Sequence, residues 1–134
     1  MISLEIKTKK REELIDITEE IQEKIKKRIK IKEGMCLLYV PSTTAAITIN
    51  EGYDPRVKKD ILTFLKKNVP RGCWSHDIEE KNADAHIKSS LIGCFVVIPI
   101  YNNSLQLGTW QRIFFCEFDG PRERKILIFC IKNE

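Results

Sequence analysis

"CFVVIPIYNNSLQLGTWQRIFFCEFDGPRERKILIFCI", residues 94–131, is strand-like almost throughout. "CFVVIPI", "IFFCEF" and "KILIFCI" are short runs of β-branched and aromatic residues, set apart by the turn segments "YNNS" and "DGPRER". That alternation of apolar run and turn chemistry is the pattern of successive strands. Asp119-Gly120 reads as a hairpin signal. Several of the runs are too uniformly apolar to face water, so the sheet they build must be covered.

The N-terminal two thirds supplies the cover. "ISLEIKT" alternates like a first strand, and "GMCLLYV" and "AAITIN" are two more, separated by the polar turn "PSTT". From Glu13, the positions Leu14, Ile17, Ile21, Ile25 and Ile29 recur at helical spacing and predict an amphipathic helix ending before Gly34. Asp54-Pro55 starts a second helix, with Asp as N-cap and Val57, Ile61, Leu62 and Leu65 as its apolar face. Asn82 caps a short third helix, "ADAHIKSSLI", which stops at Gly93. Strands outnumber helices. The expected fold class is α+β, a single domain over residues 1–134 with a mostly antiparallel, mixed, curved sheet and helices on one side.

Composition narrows the function classes. At 134 residues the chain can build one continuous core but not two. No apolar run is long enough to span a bilayer, and "MISLEIKTKKREELIDI" lacks the regions of a signal peptide, so the expected compartment is the cytoplasm. Five cysteines, at 36, 73, 94, 116 and 130, form no CxxC pair and predict neither a disulfide framework nor a thiolate zinc site. The net charge of +4 comes from Lys and Arg interleaved with Glu, the pattern of solvated helix faces rather than of a nucleic-acid-binding stripe.

Three segments carry groups capable of chemistry. "SHDIEEKNADAHIK", residues 75–88, holds both histidines of the chain. If Asn82 caps the third helix, His86 lies in its first turn, where the helix dipole disfavours imidazolium and free N–H groups attract anions. His76 then lies in a loop able to fold back beside it. Either the two imidazoles share one site, or they merely fall in one solvated stretch. "STTAAITINEGYDP" ends a strand at Glu51, which is a catalytic carboxylate or a turn residue; Ser42, Thr43 and Thr44 bind a phosphate or simply turn the chain. In "LQLGTWQ", Gly108 marks a bulge or close approach; Trp110 reads as core, while the amide of Gln111 is hard to place there. Arg122 and Arg124 flank the hairpin and are expected to be solvated.

Taken together, "TTAAITINEGYDPRVKKDIL", "HDIEEKNADAHIKSSLIG" and "LQLGTWQRIFFCEFDGPRERKILI" resemble the YjbQ-like family, an uncharacterised protein family also labelled secondary thiamine-phosphate synthase. The resemblance implies a YjbQ-like fold, assembled as a homotrimer with sites near subunit boundaries. It implies a catalytic set of His76, His86, Glu51, Asn82 and Asp84, and substrate binding by Ser90, Trp110 and Gln111, to which the turn residues Ser42, Thr43 and Thr44 are added as candidates from their own chemistry. Many relatives carry a histidine where this chain has Ser42. With only two histidines, one chain cannot form a three-histidine centre. His76 and His86 with Glu51 or Asp84 would still suffice for a divalent metal, zinc or magnesium.

The label implies joining a pyrimidine-methyl pyrophosphate to a thiazole phosphate with release of pyrophosphate. The alternative is a non-catalytic trimeric module that binds a small anionic or phosphorylated metabolite.

Overall fold

The computed structural model describes residues 1–133. The chain opens with β1 (Ile2–Lys7) and β2 (Glu13–Asp16), then α1 (Thr18–Lys24), which widens into a π turn over Ile25–Ile29. Next come β3 (Glu33–Tyr39), β4 (Ala45–Glu51), α2 (Pro55–Asn68), a 3-10 turn (Ser75–Ile78) and α3 (Ala83–Ile92). Four strands finish the fold: β5 (Phe95–Tyr101), β6 (Ser104–Leu105), β7 (Gln111–Glu117) and β8 (Glu123–Lys132). The α+β class and the antiparallel pairing match the expectation, since every strand pair among the described residues is antiparallel.

The strands divide into two hydrogen-bonded sheets, β1-β8-β3-β5-β6 and β2-β7-β4. Between them lies the main core. Cys36, Leu38, Ile98, Ile100, Ile126 and Ile128 of the first sheet meet Ala45, Ile47, Ile113 and Phe115 of the second, with Ile17, Ile21 and Ile25 from the α1 segment. A second cluster lies on the far face of the smaller sheet, where Leu14, Ala46, Phe114 and Cys116 pack against Leu65 of α2 and Ala85 of α3. β4 and β7 are therefore covered on both faces, which is why "IFFCEF" shows no polar alternation. Replacing the fully buried Phe115 by Ala costs about 3–5 kcal/mol.

Two sequence expectations are corrected. The helix predicted from Glu13 begins at Thr18; Glu13–Asp16 is a strand paired with β7. Leu14 faces the second cluster whereas Ile17 and Ile21 face the first, so the spacing that looked helical spans two elements. Thr18 is held at the helix start by Asp16, whose Oδ1 accepts from both its backbone N–H and its hydroxyl. Asp119-Gly120 is not a hairpin either. β7 and β8 belong to different sheets, and residues 118–122 form the corner between them. Gly120 is required there because a Cβ would sit 2.4 Å from the Lys10 carbonyl oxygen.

The outer face of the larger sheet is apolar and open. Met35, Leu37 and Tyr39 of β3 lie opposite Pro99, Val97 and Phe95 of β5 on one side, and opposite Ile131, Phe129 and Leu127 of β8 on the other. Most of these side chains are exposed, Phe95 at 57% and Ile131 at 53%. A contiguous apolar patch of this kind marks an interaction surface. No helix among the described residues is long and apolar enough to cross a membrane.

Candidate functional site

The polar turn at residues 41–44 joins the two sheets, and α3 packs beside it along β4. Ser89 fixes this contact by donating from its hydroxyl to the Thr43 carbonyl at 2.6 Å. An open cavity of about 450 Å³ results, lined by Ser42, Thr43, Ala45, His86, Ser89, Ser90, Gly93 and Cys94. His86 and Ser90 are one helical turn apart on the same face of α3, and the Ser90 hydroxyl donates to the His86 carbonyl.

His76 comes to the same place from the 3-10 turn. Its ring lies edge to face with that of His86, centroids 5.0 Å apart and planes at 83°. Asp77 holds the segment in this position. Its Oδ2 accepts from the backbone N–H groups of Gly72 and Trp74, and its Oδ1 accepts from that of Ala83 at the start of α3. The Ala83 amide is the main reason the Asp77 carboxyl titrates below the usual aspartate range; burial opposes it, and the other two amides reinforce it.

Asp77 thus takes the capping role expected of Asn82. The Asn82 side chain makes no cap; its Nδ2 donates to Asp119, and its Oδ1 is buried without a partner. With Asp77 and Asp84 both at the start of α3, the expected anion-attracting helix end is already neutralised.

Asp84 is not available as a ligand. It is fully buried, accepts two bonds from Arg11 and one from Lys88, and sits on the side of α3 away from the cavity. Burial alone would raise its carboxyl, but Arg11 and Lys88 outweigh burial and hold it below the usual range. Lys88, itself 2% exposed, also contacts Glu12. This four-charge cluster is structural.

Glu51, Trp110 and Gln111 lie elsewhere. Glu51 ends β4 and pairs in register with Gln111. Six residue steps along the strand put it about 20 Å from Ala45 at the cavity. There Tyr53 and Trp110 stack edge to face with centroids 5.2 Å apart, both largely exposed. Trp110 is therefore not core. Gly108 stands at a turn rather than a bulge, its N–H donating to Gln111 Oε1. Glu51 Oε2 accepts from the Asp54 N–H. The candidates thus form two clusters in the single chain, joined by β4 and α2, which run between the same two ends.

Sequence reasoning missed Arg124 and Glu117. Arg124 is not solvated: its side chain is 10% exposed and pairs with the fully buried Glu117. Nη1 donates to Ser42 Oγ at 2.9 Å and Nη2 to Thr44 Oγ1 at 3.0 Å. Glu117 also accepts from the Thr8 hydroxyl and the Asp119 N–H. A carboxylate at the end of an otherwise apolar strand was the one available signal.

Residues 2–133 match the model of the UPF0047 protein YjbQ-like family. The chain belongs to the YjbQ-like UPF0047 family. It is 52% identical over 134 residues to a UPF0047 protein of Methanocaldococcus jannaschii, covering all of this chain and 96% of that one. It is 48% identical to the UPF0047 protein YugU of Bacillus subtilis, covering 94% and 95% of the two chains. Among solved structures, an uncharacterised conserved protein of the same family from Clostridium acetobutylicum superposes with a TM-score of 0.91 at 44% identity, covering 98% of this chain and all of that one. A hypothetical protein of Aeropyrum pernix K1 gives 0.92 at 38% identity, with 98% of each chain covered.

Proposed function

We propose that this YjbQ-like protein is a small homotrimeric cytoplasmic enzyme acting on a phosphorylated small molecule, with His76 and His86 at its centre and thiamine-phosphate synthase activity as its reaction. The observation that carries this reading is the edge-to-face pair of imidazoles, of which His86 lines an open cavity large enough for such a ligand, rimmed by the hydroxyls of Ser42, Thr43, Ser89 and Ser90.

In this reaction the bond between the pyrimidine methylene carbon and the pyrophosphate oxygen breaks. The thiazole nitrogen supplies the electron pair for the new C–N bond, and pyrophosphate leaves. The departing charge must be neutralised. Nearby cations are already committed, Arg124 to Glu117 and both Arg11 and Lys88 to Asp84. A divalent metal on His76 and His86 would supply that positive charge. The donor set fits such an ion in part: two imidazoles are in place, but no group of three His, Cys, Asp or Glu residues gathers in one chain among the described residues.

The homotrimer supplies the missing part. The open face of Met35, Leu37, Tyr39, Phe95, Val97 and Phe129 favours burial against other copies. Its Tyr39–Phe95 edge leads directly into Ser42 and Cys94 of the cavity rim. In the proposed ring, the carboxylate and aromatic surface that the single-chain site lacks would come from a neighbouring copy, and Glu51, Trp110 and Gln111 are the candidates for that contribution. Turnover of the two thiamine precursors by purified protein tests the activity. It should require divalent metal and vanish in His86→Ala while the oligomer, read by light scattering, persists. No turnover under any metal would overturn the enzymatic reading.

The alternative is a non-catalytic trimeric binding module for an anionic or phosphorylated metabolite. It is favoured by the commitment of Asp77 and Asp84, which leaves the single-chain cavity without a free carboxylate for acid–base work. Under this reading, ligands bind but are recovered unchanged.

A further inference from the structure

The Ser42 hydroxyl oxygen has two lone pairs and one proton. Both lone pairs are in use: Arg124 Nη1 donates to the oxygen at 2.9 Å and the Thr44 backbone N–H donates at 3.2 Å. The proton has no acceptor among the described residues, and Ser42 lines the cavity facing His86. Arg124 cannot rotate away. Its Nε and Nη2 are tied to the two oxygens of Glu117, and Nη2 also holds Thr44 Oγ1. Glu117 is in turn fixed by Thr8 and the Asp119 N–H.

We infer that Arg124 is a positioning residue that locks Ser42 as a pure hydrogen-bond donor, so that this wall of the cavity selects an acceptor-only oxyanion such as a phosphoryl group. The inference rests on the reading of the cavity as the phosphate-handling site, and adds the group that decides which atoms are accepted there. A hydroxyl free to turn can donate to one ligand and accept from another, and so discriminates little. With its acceptor capacity filled, Ser42 rejects N–H and O–H donors and cannot serve as a metal ligand. The Glu117 partner matters equally. It cancels the Arg124 charge, so Arg124 acts through the hydroxyl rather than by attracting the anion itself.

Inorganic pyrophosphate, titrated calorimetrically into the full-length protein with Mg²⁺ present, is the probe. Ser42→Ala removes one hydrogen bond to a charged group and should weaken binding about tenfold. Arg124→Met should weaken it by a similar factor. The double variant should be no weaker than either single one, because both changes remove the same directed proton. Simple structural loosening by Arg124→Met would add to the Ser42→Ala effect, and that additive result overturns the inference. Should Arg124→Met fail to fold, Arg124→Lys takes its place. It keeps the charge beside Glu117 but cannot hold Ser42 and Thr44 together, and must show the same non-additivity. Absence of pyrophosphate binding by the wild-type protein would instead overturn the phosphate reading of the cavity, and this inference with it. Wild-type binding that weakens in His86→Ala but not in Ser42→Ala overturns the inference alone.

Discussion

The imidazoles of His76 and His86 meet edge to face, 5.0 Å between ring centroids, although ten residues and a change of element separate them. The meeting depends on Asp77, whose carboxylate gathers amides from Gly72, Trp74 and Ala83 and so folds the loop onto the start of α3. His86 lines the open cavity and His76 adjoins it from a second element, the arrangement that the proposed shared ligand requires.

Purified protein incubated with zinc and then desalted should retain the metal, and either His76→Ala or His86→Ala should release it. His76 is exposed and His86 half-buried, so thermal stability should shift by no more than about 0.5 kcal/mol for His76→Ala and somewhat more for His86→Ala. Metal analysis alongside a melting curve checks both expectations. Equal metal retention in all three proteins would remove the histidines from the site.

Asp84 should dominate acid stability. An aspartate in the unfolded chain titrates at about 3.9; in the fold, Asp84 and Asp77 both titrate lower. Their stabilisation is therefore fully present above about pH 4 and is lost as pH falls through their folded values. Asp84→Asn removes the buried charge that Arg11 and Lys88 share, leaving Lys88 only Glu12, and should cost about 3 kcal/mol at neutral pH. Urea midpoints across acid pH should fall steeply for the wild type and less steeply for the variant.

Charges placed on the open apolar face should leave the fold intact and dissolve the proposed trimer. Val97 and Phe129 lie on either side of Leu37 in register, and Val97→Glu with Phe129→Glu should yield a folded monomer by light scattering. A wild-type protein that is itself monomeric at micromolar concentration would remove the trimer from the proposed function.

Gly120→Ala should destabilise the corner between the sheets, because its Cβ would meet the Lys10 carbonyl and the side chains of Glu117 and Thr8. Overpacking of this kind costs about 1–3 kcal/mol. The comparison is with Gly72→Ala: nothing lies within 4 Å of its added Cβ, and only the positive φ is strained.

Much of this fold is legible because strands and turns carry local signals. "AAITIN", the Asp54-Pro55 helix start and the Gly93 stop are all where the residues place them. What local patterns cannot carry is partnership. "ELID" is too short to separate strand from helix by spacing, and Asp119-Gly120 turns the chain equally well within a sheet or between two. The histidine pair was legible as a possibility, but its cap was not, because Asp77 reaches Ala83 across a loop. Arg124 looked solvated since a basic residue beside a turn normally is; only the long-range approach of Glu117 and Ser42 buries it. The separation of Glu51 from His86 follows from the direction of β4, which sequence leaves open.

The Thr8 hydroxyl, just past the end of β1, donates to Glu117 and through it is linked to the guanidinium that holds Ser42 and Thr44. The residue that follows the opening strand is thus a latch behind the cavity wall, while the strand itself is an edge of a sheet. Shortening the chain by its first eight residues would unfasten the cavity wall from behind, so a trimmed protein that still folds should bind more weakly at the proposed site, which those residues do not line.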